Sequence, residues 1–217
     1  MNLKILSLLL VAILSLGAVL AGTASAEGEF QFHSDGSHTT FTGTALSGGV
    51  LTVDAGQIKC SSVTYTGEMN SSTAKEIELE PTTSGCTWGM DTVTNDWNGC
   101  TNLFVQEKAT SAVTYDTTDY LKCPPGKELT VTAFFSGVLK CTWHYPPQDI
   151  GTSEWFENAF SKDLLSRKYS KLKYSQTAGT GLGACQNAVN TTNGEYAEEM
   201  ELQAKNSEGK ATEFWLE

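Results

Sequence analysis

From about residue 27 onward the apolar residues of this chain mostly occupy every second position, and turn residues interrupt them at short intervals. A period of two is the mark of a strand with one buried and one wet face. It predicts strands at Glu29–His33, Thr39–Ala45, Val50–Val53, Ile58–Thr66, Lys75–Glu80, Asn102–Gln106, Glu128–Phe135, Val138–Tyr145, Tyr196–Ala204 and Ala211–Leu216. Turn chemistry separates them at Asp35-Gly36, Gly48-Gly49, Asp54-Ala55-Gly56, Asn98-Gly99, Pro124-Pro125-Gly126, Ser136-Gly137 and Asn193-Gly194. Many short strands at this spacing predict an all-β sandwich of two packed antiparallel sheets. One stretch reads differently. Phe156, Phe160, Leu164, Leu165, Tyr169 and Leu172 recur at near-helical spacing, and Ser153 with Glu154 and Glu157 resembles a helix start. This predicts one short helix over 153–161 and a strand near 168–175.

The first residues change the picture of where such a sandwich would work. Lys4, the apolar run Ile5 to Leu20 and Ala24-Ser25-Ala26 compose an export signal over residues 1–26, leaving a single β-rich secreted domain over 27–217. Ser15 and Gly17 interrupt the apolar run, so no stable membrane insertion is expected once the signal is cleaved. All six cysteines follow the signal. In an oxidising compartment they read as three disulfides that staple the domain. Pairing by nearness along the chain predicts Cys86–Cys100 and Cys123–Cys141, which leaves Cys60–Cys185.

Several short motifs carry a resemblance. Phe32-His33-Ser34, Thr40-Phe41-Thr42-Gly43-Thr44, Val53 to Cys60, Ser84-Gly85-Cys86-Thr87, Asn98-Gly99-Cys100, Cys123-Pro124 and the closing Gly209 to Glu217 resemble a group of uncharacterised secreted bacterial proteins of the actinobacterial type. The shared elements are turn glycines and cysteines, so the resemblance implies a β-rich disulfide fold and no activity.

Charge narrows the partners. The full chain carries a net charge of −11, and an acidic surface repels a phosphate backbone, which argues against nucleic acid. The basic stretch Lys162, Arg167, Lys168, Lys171 and Lys173 reads as a solvated face, with the acidic end from Glu195 to Glu217 lying beside it.

No complete catalytic or metal constellation stands out, and no cofactor is implied. His33 and His38 near Asp35 lack the spacing that puts two imidazoles on one face of a strand. Cys141-Thr142-Trp143-His144 loses its thiolate to a disulfide. Thr94 to Gly99 lacks the first and last carboxylates of a calcium loop, so Asn98-Gly99 serves as a turn. Gly179 to Ala184 matches a dinucleotide fingerprint only as a string, because no helix follows it. Asn70-Ser71-Ser72 and Asn190-Thr191-Thr192 are glycosylation sequons.

Aromatic residues are the better lead. Trp88 and Trp97 flank the Cys86 to Cys100 segment in predicted loops, where exposed rings would stack on a sugar. The sequence therefore points to a secreted, non-enzymatic binding or structural module that contacts carbohydrate or another envelope component. The alternative is a secreted carboxylate-dependent hydrolase with Glu154 or Glu157 among its acids.

Overall fold

The computed structural model describes residues 31–217 apart from 112–113, 160–161, 180–184 and 186–188. Gln31–Glu217 forms one compact unit; residues 1–26, where the sequence predicts an export signal, lie outside the described residues. The fold is all-β, with two antiparallel sheets packed together and stapled by three disulfides, and there is no helix among the described residues.

The strands are β1 (Phe32–Ser34), β2 (Thr39–Ala45), β3 (Gly49–Val53), β4 (Gly56–Met69), β5 (Thr73–Ala74), β6 (Glu76–Trp88), β7 (Asp91–Asp96), β8 (Thr101–Ser111), β9 (Thr114–Lys122), β10 (Leu129–Phe135), β11 (Val138–Tyr145), β12 (Gln148–Ala159), β13 (Lys162–Ala178), β14 (Val189–Asn206) and β15 (Phe214–Leu216). A small sheet, β15-β1-β5, packs on one end of a large sheet that closes on itself. Its long strands β4, β6, β13 and β14 each belong to two rings of pairing. The upper ring runs β2-β4-β6-β8-β9-β12-β13-β14 and returns to β2. The lower ring runs β3-β4-β6-β7-β10-β11-β13-β14 and returns to β3. Closure removes the free edges that a large open sheet would expose.

Each ring has its own core. In the upper one Trp155 is surrounded by Phe32, Phe104 and Phe214, at ring distances of 5.5, 5.5 and 6.4 Å, and the small sheet supplies Phe32, Phe214 and Leu216 as its cap. The lower core gathers Val53, Ile58, Val131, Trp143, Tyr145, Ile150, Leu172 and Tyr174 with four buried cysteines.

Two expectations are corrected here. Residues 153–159 belong to β12, a strand between β9 and β13, and the predicted helix is absent there. The helix-like spacing arises from β-bulges. In β13 the buried positions are Asp163, Leu165, Arg167 and Tyr169, then Leu172, Tyr174 and Gln176. A register shift around Lys171, whose φ is 62°, moves the inward face from odd to even positions. The disulfides are Cys60–Cys86, Cys100–Cys123 and Cys141–Cys185, replacing Cys60–Cys185, Cys86–Cys100 and Cys123–Cys141. Register decides this: Cys60 lies directly opposite Cys86 across β4 and β6, with Cα atoms 3.8 Å apart. Proximity across strands outranks proximity along the chain.

Tight passage near this staple explains one glycine. Gly48 has φ of 75°, and a Cβ there would lie 2.1 Å from the Cys60 carbonyl oxygen.

Candidate functional site

Between the two cores the inward positions turn polar. In β9 the inward row is Tyr115, Thr117, Asp119 and Leu121, and in β13 it includes Arg167 and Tyr169. Arg167 and Glu198 are direct partners in the β13–β14 register, and their fully buried side chains form an ion pair. Tyr65 and Tyr196 donate to the same Glu198 carboxylate oxygen, at 2.8 and 2.9 Å. The guanidinium lies 4.7 Å from the Tyr65 ring centre and 5.7 Å from those of Phe104 and Tyr196. Burial alone would discharge Arg167, yet the electronegative groups of Tyr65 and Glu198 hold it well above its ordinary pKa. Burial pushes the Tyr65 hydroxyl up to about 12.

Asp119 forms the other half of the layer. Thr117 donates to it at 2.6 Å and Tyr169 donates to its second oxygen. Trp155 Nε1 in turn donates to Thr117 at 2.9 Å, tying the layer to the upper core. Burial pushes the Asp119 carboxyl up to about 6, against the lowering effect of its bonds to Ser153, Thr117 and Tyr169. A raised folded pKa favours the neutral acid in the native state. Stability from Asp119 is therefore fully present below the unfolded pKa near 4 and is lost as pH rises to about 6, by about 3 kcal/mol. Asp119→Asn should remove that part of the slope. Urea denaturation midpoints of both proteins between about pH 4 and pH 7 check this, and an unchanged slope in the variant would refute it.

Below the polar layer a cavity of about 90 Å³ lies against the lower core. Its walls are apolar at Leu51, Ile58, Val63, Leu121, Leu129, Val131, Ile150 and Leu172, and Tyr65, Tyr169 and Tyr196 form the side toward Arg167. Three polar atoms at the lining residues are buried without a hydrogen-bond partner: Asn95 Oδ1, Trp97 Nε1 and the Tyr145 hydroxyl. Each such atom carries a desolvation penalty unless something bonds to it. Asn95 is oriented by its amide nitrogen, which donates to Thr83 Oγ1 at 2.8 Å. Tyr145 is 3% exposed, and burial followed by the nearby Tyr174 raises its pKa well above the ordinary phenol value.

The residues singled out from the sequence are dispersed. Trp88 is half-buried, packs edge-on against Trp143 with ring centres 5.3 Å apart and donates to the Ala55 carbonyl at 3.1 Å. Trp97 is also half-buried and is one of the residues that line the cavity. Both pack against the lower core. Glu154 is exposed on β12, and the helical spacing that would bring it beside Glu157 is gone. His33 stacks on Trp215, while His38 bonds to Asn70 at 2.7 Å, so the two do not converge. Asp96 accepts from the Asn98 backbone at 3.0 Å, making a turn of that loop. Both sequon asparagines, Asn70 and Asn190, are exposed. Residues 180–184 of the glycine-rich string lie outside the described residues. Among the described residues no group of three or more His, Cys, Asp or Glu is placed to hold a metal ion.

The basic stretch divides by strand alternation. Lys162, Lys168, Lys171 and Lys173 are exposed and Arg167 is buried, and of the acidic end Glu198, Glu199 and Glu201 lie beside it through the β13–β14 pairing. Asn95 and Tyr145 went unnoticed in the sequence. The available signal was Val93, Asn95 and Trp97, an alternating row in which a polar residue stands between two inward apolar ones.

No protein-family model matches the chain, and no curated protein or solved structure matches it.

Proposed function

We propose that the protein is an exported, non-enzymatic binding module that holds a small ligand inside its lower ring. The observation that carries this reading is the cavity: apolar walls with a few polar residues among them, Thr83, Asn95, Asn102 and Gln148, are what a preformed small-molecule site requires. The leader and the three disulfides, which suit an oxidising compartment, support secretion to the cell exterior or envelope. The half-buried placement of Trp88 and Trp97 moves the reading from a sugar stacked on an open face to a ligand held within.

A carboxylate-dependent hydrolase is less well supported. Glu198 pairs with Arg167 and Asp119 lies elsewhere in the same polar layer, and both carboxylates are enclosed and held by tyrosine and threonine hydroxyls, out of reach of a substrate.

The test uses the full chain expressed with its own leader in an oxidising host. Xenon and ethanol, small enough for a space of about 90 Å³, are titrated while the methyl resonances of Leu51, Val63, Leu121, Leu129 and Val131 are followed. Saturable shifts confined to these methyls are expected from at least one probe, and Leu129→Phe or Leu51→Phe, which fill the space, should abolish them. Absence of any saturable shift with either probe would remove the reading.

A further inference from the structure

We infer that the tips of two neighbouring hairpins, β6–β7 and β10–β11, form an apolar wedge that dips into a lipid surface of electrically neutral headgroups and attaches the domain peripherally. The inference is independent of the cavity and adds a surface to which the domain docks.

Strand register brings the two tips together. β7 pairs with β10 so that Phe134 lies opposite Thr92, which sets the Gly89-Met90 turn level with the Ser136-Gly137 turn. Met90 is 90% exposed, Phe135 46% and Val138 43%, so three of the five exposed large hydrophobic residues among the described ones lie on these adjoining tips. A single exposed apolar side chain is ordinary, whereas a contiguous apolar patch marks a contact surface. Ser136 and Gly137 have φ of 49° and 79°, the conformation of a tight two-residue hairpin turn, so the second tip is a defined projection.

The chemistry of both faces selects the occupant. Phe135 is the direct register partner of Val138, and Phe134 that of Leu139. Successive residues of a strand point to opposite faces, so Phe135 and Val138 share one face and Phe134 and Leu139 the other. The second pair is half-exposed as well. A protein groove would cover one face of such a hairpin; hydrocarbon surrounds both. Neither Thr87–Met90 nor Ala133–Leu139 contains a charged residue, and charge begins immediately after each, at Asp91 and Lys140. Lys140 Nζ lies 5.6 Å from the centre of the Phe135 ring. Two residues on each arm reach about 7 Å at roughly 3.3 Å per residue, within the 5 to 10 Å, roughly, to which interfacial apolar faces are buried in a bilayer. Trp88 at the base of the first tip is half-buried and has its indole N–H bonded to the Ala55 carbonyl, an amphipathic ring suited to headgroup level.

Net charge selects the headgroup. The chain carries −11, so an anionic surface repels the body of the domain. Attachment is therefore carried by the apolar tips, onto zwitterionic lipid.

The test is flotation of the full chain, expressed with its own leader in an oxidising host, with phosphatidylcholine vesicles and with vesicles that also contain phosphatidylglycerol. The protein should float with phosphatidylcholine alone, at low and at high salt, and phosphatidylglycerol should not strengthen binding. Phe135→Ser should weaken partitioning about tenfold or more, and Met90→Ser should weaken it in the same direction. Both positions are exposed, so the near-ultraviolet circular dichroism of each variant should match that of the parent. Three results would each overturn the inference. The first is no flotation with phosphatidylcholine. The second is binding that requires phosphatidylglycerol and is released by salt, which would place the contact on the exposed lysines of β13. The third is self-association in sedimentation that Phe135→Ser abolishes, without flotation, which would make the tips a contact between copies of this chain.

Discussion

Reduction of the three disulfides is expected to unfold the protein at ~37 °C. They close loops with sequence separations of 26, 23 and 44 residues. By loop entropy each contributes about 3 to 4 kcal/mol, and together on the order of 10 kcal/mol. A domain's whole stability is about 5 to 15 kcal/mol. The location of the staples sharpens the expectation. Cys86, Cys100, Cys141 and Cys185 are buried in the lower core, the half of the molecule that also bears the cavity, and Cys60 lines that cavity. The measurement is near-ultraviolet circular dichroism during thermal melts with and without a phosphine reductant. A midpoint that moves by only a few degrees would show that the lower core holds without its bridges. Among single pairs, serine replacement of Cys141 and Cys185 should cost the most, because that bridge closes the longest loop.

Arg167→Met is expected to destabilise the folded chain by about 3 to 5 kcal/mol, the largest effect of any single substitution proposed. The loss comes less from the missing attraction than from what remains. Glu198 would stay buried as an uncompensated charge, with Tyr65 and Tyr196 still aimed at it. The methionine also forfeits the contact of the guanidinium with the Tyr65 face. The double variant Arg167→Met with Glu198→Leu removes both charges, and it should recover most of the loss, as replacement of a whole buried pair by apolar groups commonly does. Urea denaturation of the two singles and the double forms the cycle that reads this out. A single Arg167→Met variant within 1 kcal/mol, roughly, of the parent would mean that the ion pair is already solvated in the folded state.

Much of the strand pattern was legible because it rests on local rules. Thr39–Ala45 and Val138–Tyr145 coincide with β2 and β11, where apolar and polar residues alternate and a turn closes each end. The strands that escaped are those whose inward positions are polar. β9 presents Thr117 and Asp119 inward, and an alternation rule that looks for apolar residues passes over it. β12 and β13 carry bulges, and a bulge shifts the inward face by one residue, which turns two clean periods of two into something resembling a helix. The same shift misplaced Glu154 and Glu157 as neighbours on one helical face.

The sequence alone determined the class of the protein: an acidic, cysteine-bearing chain with alternation enough for two packed sheets. Those properties follow from composition and from periods of a few residues. The tertiary structure alone decided which cysteine meets which, that Arg167 turns inward onto Glu198, and that Asn95, Trp97 and Tyr145 surround one space. Each of these depends on strand register between segments far apart in the chain, and register is set by the summed packing of whole strands. Local residues carry no mark of their partner across the sheet.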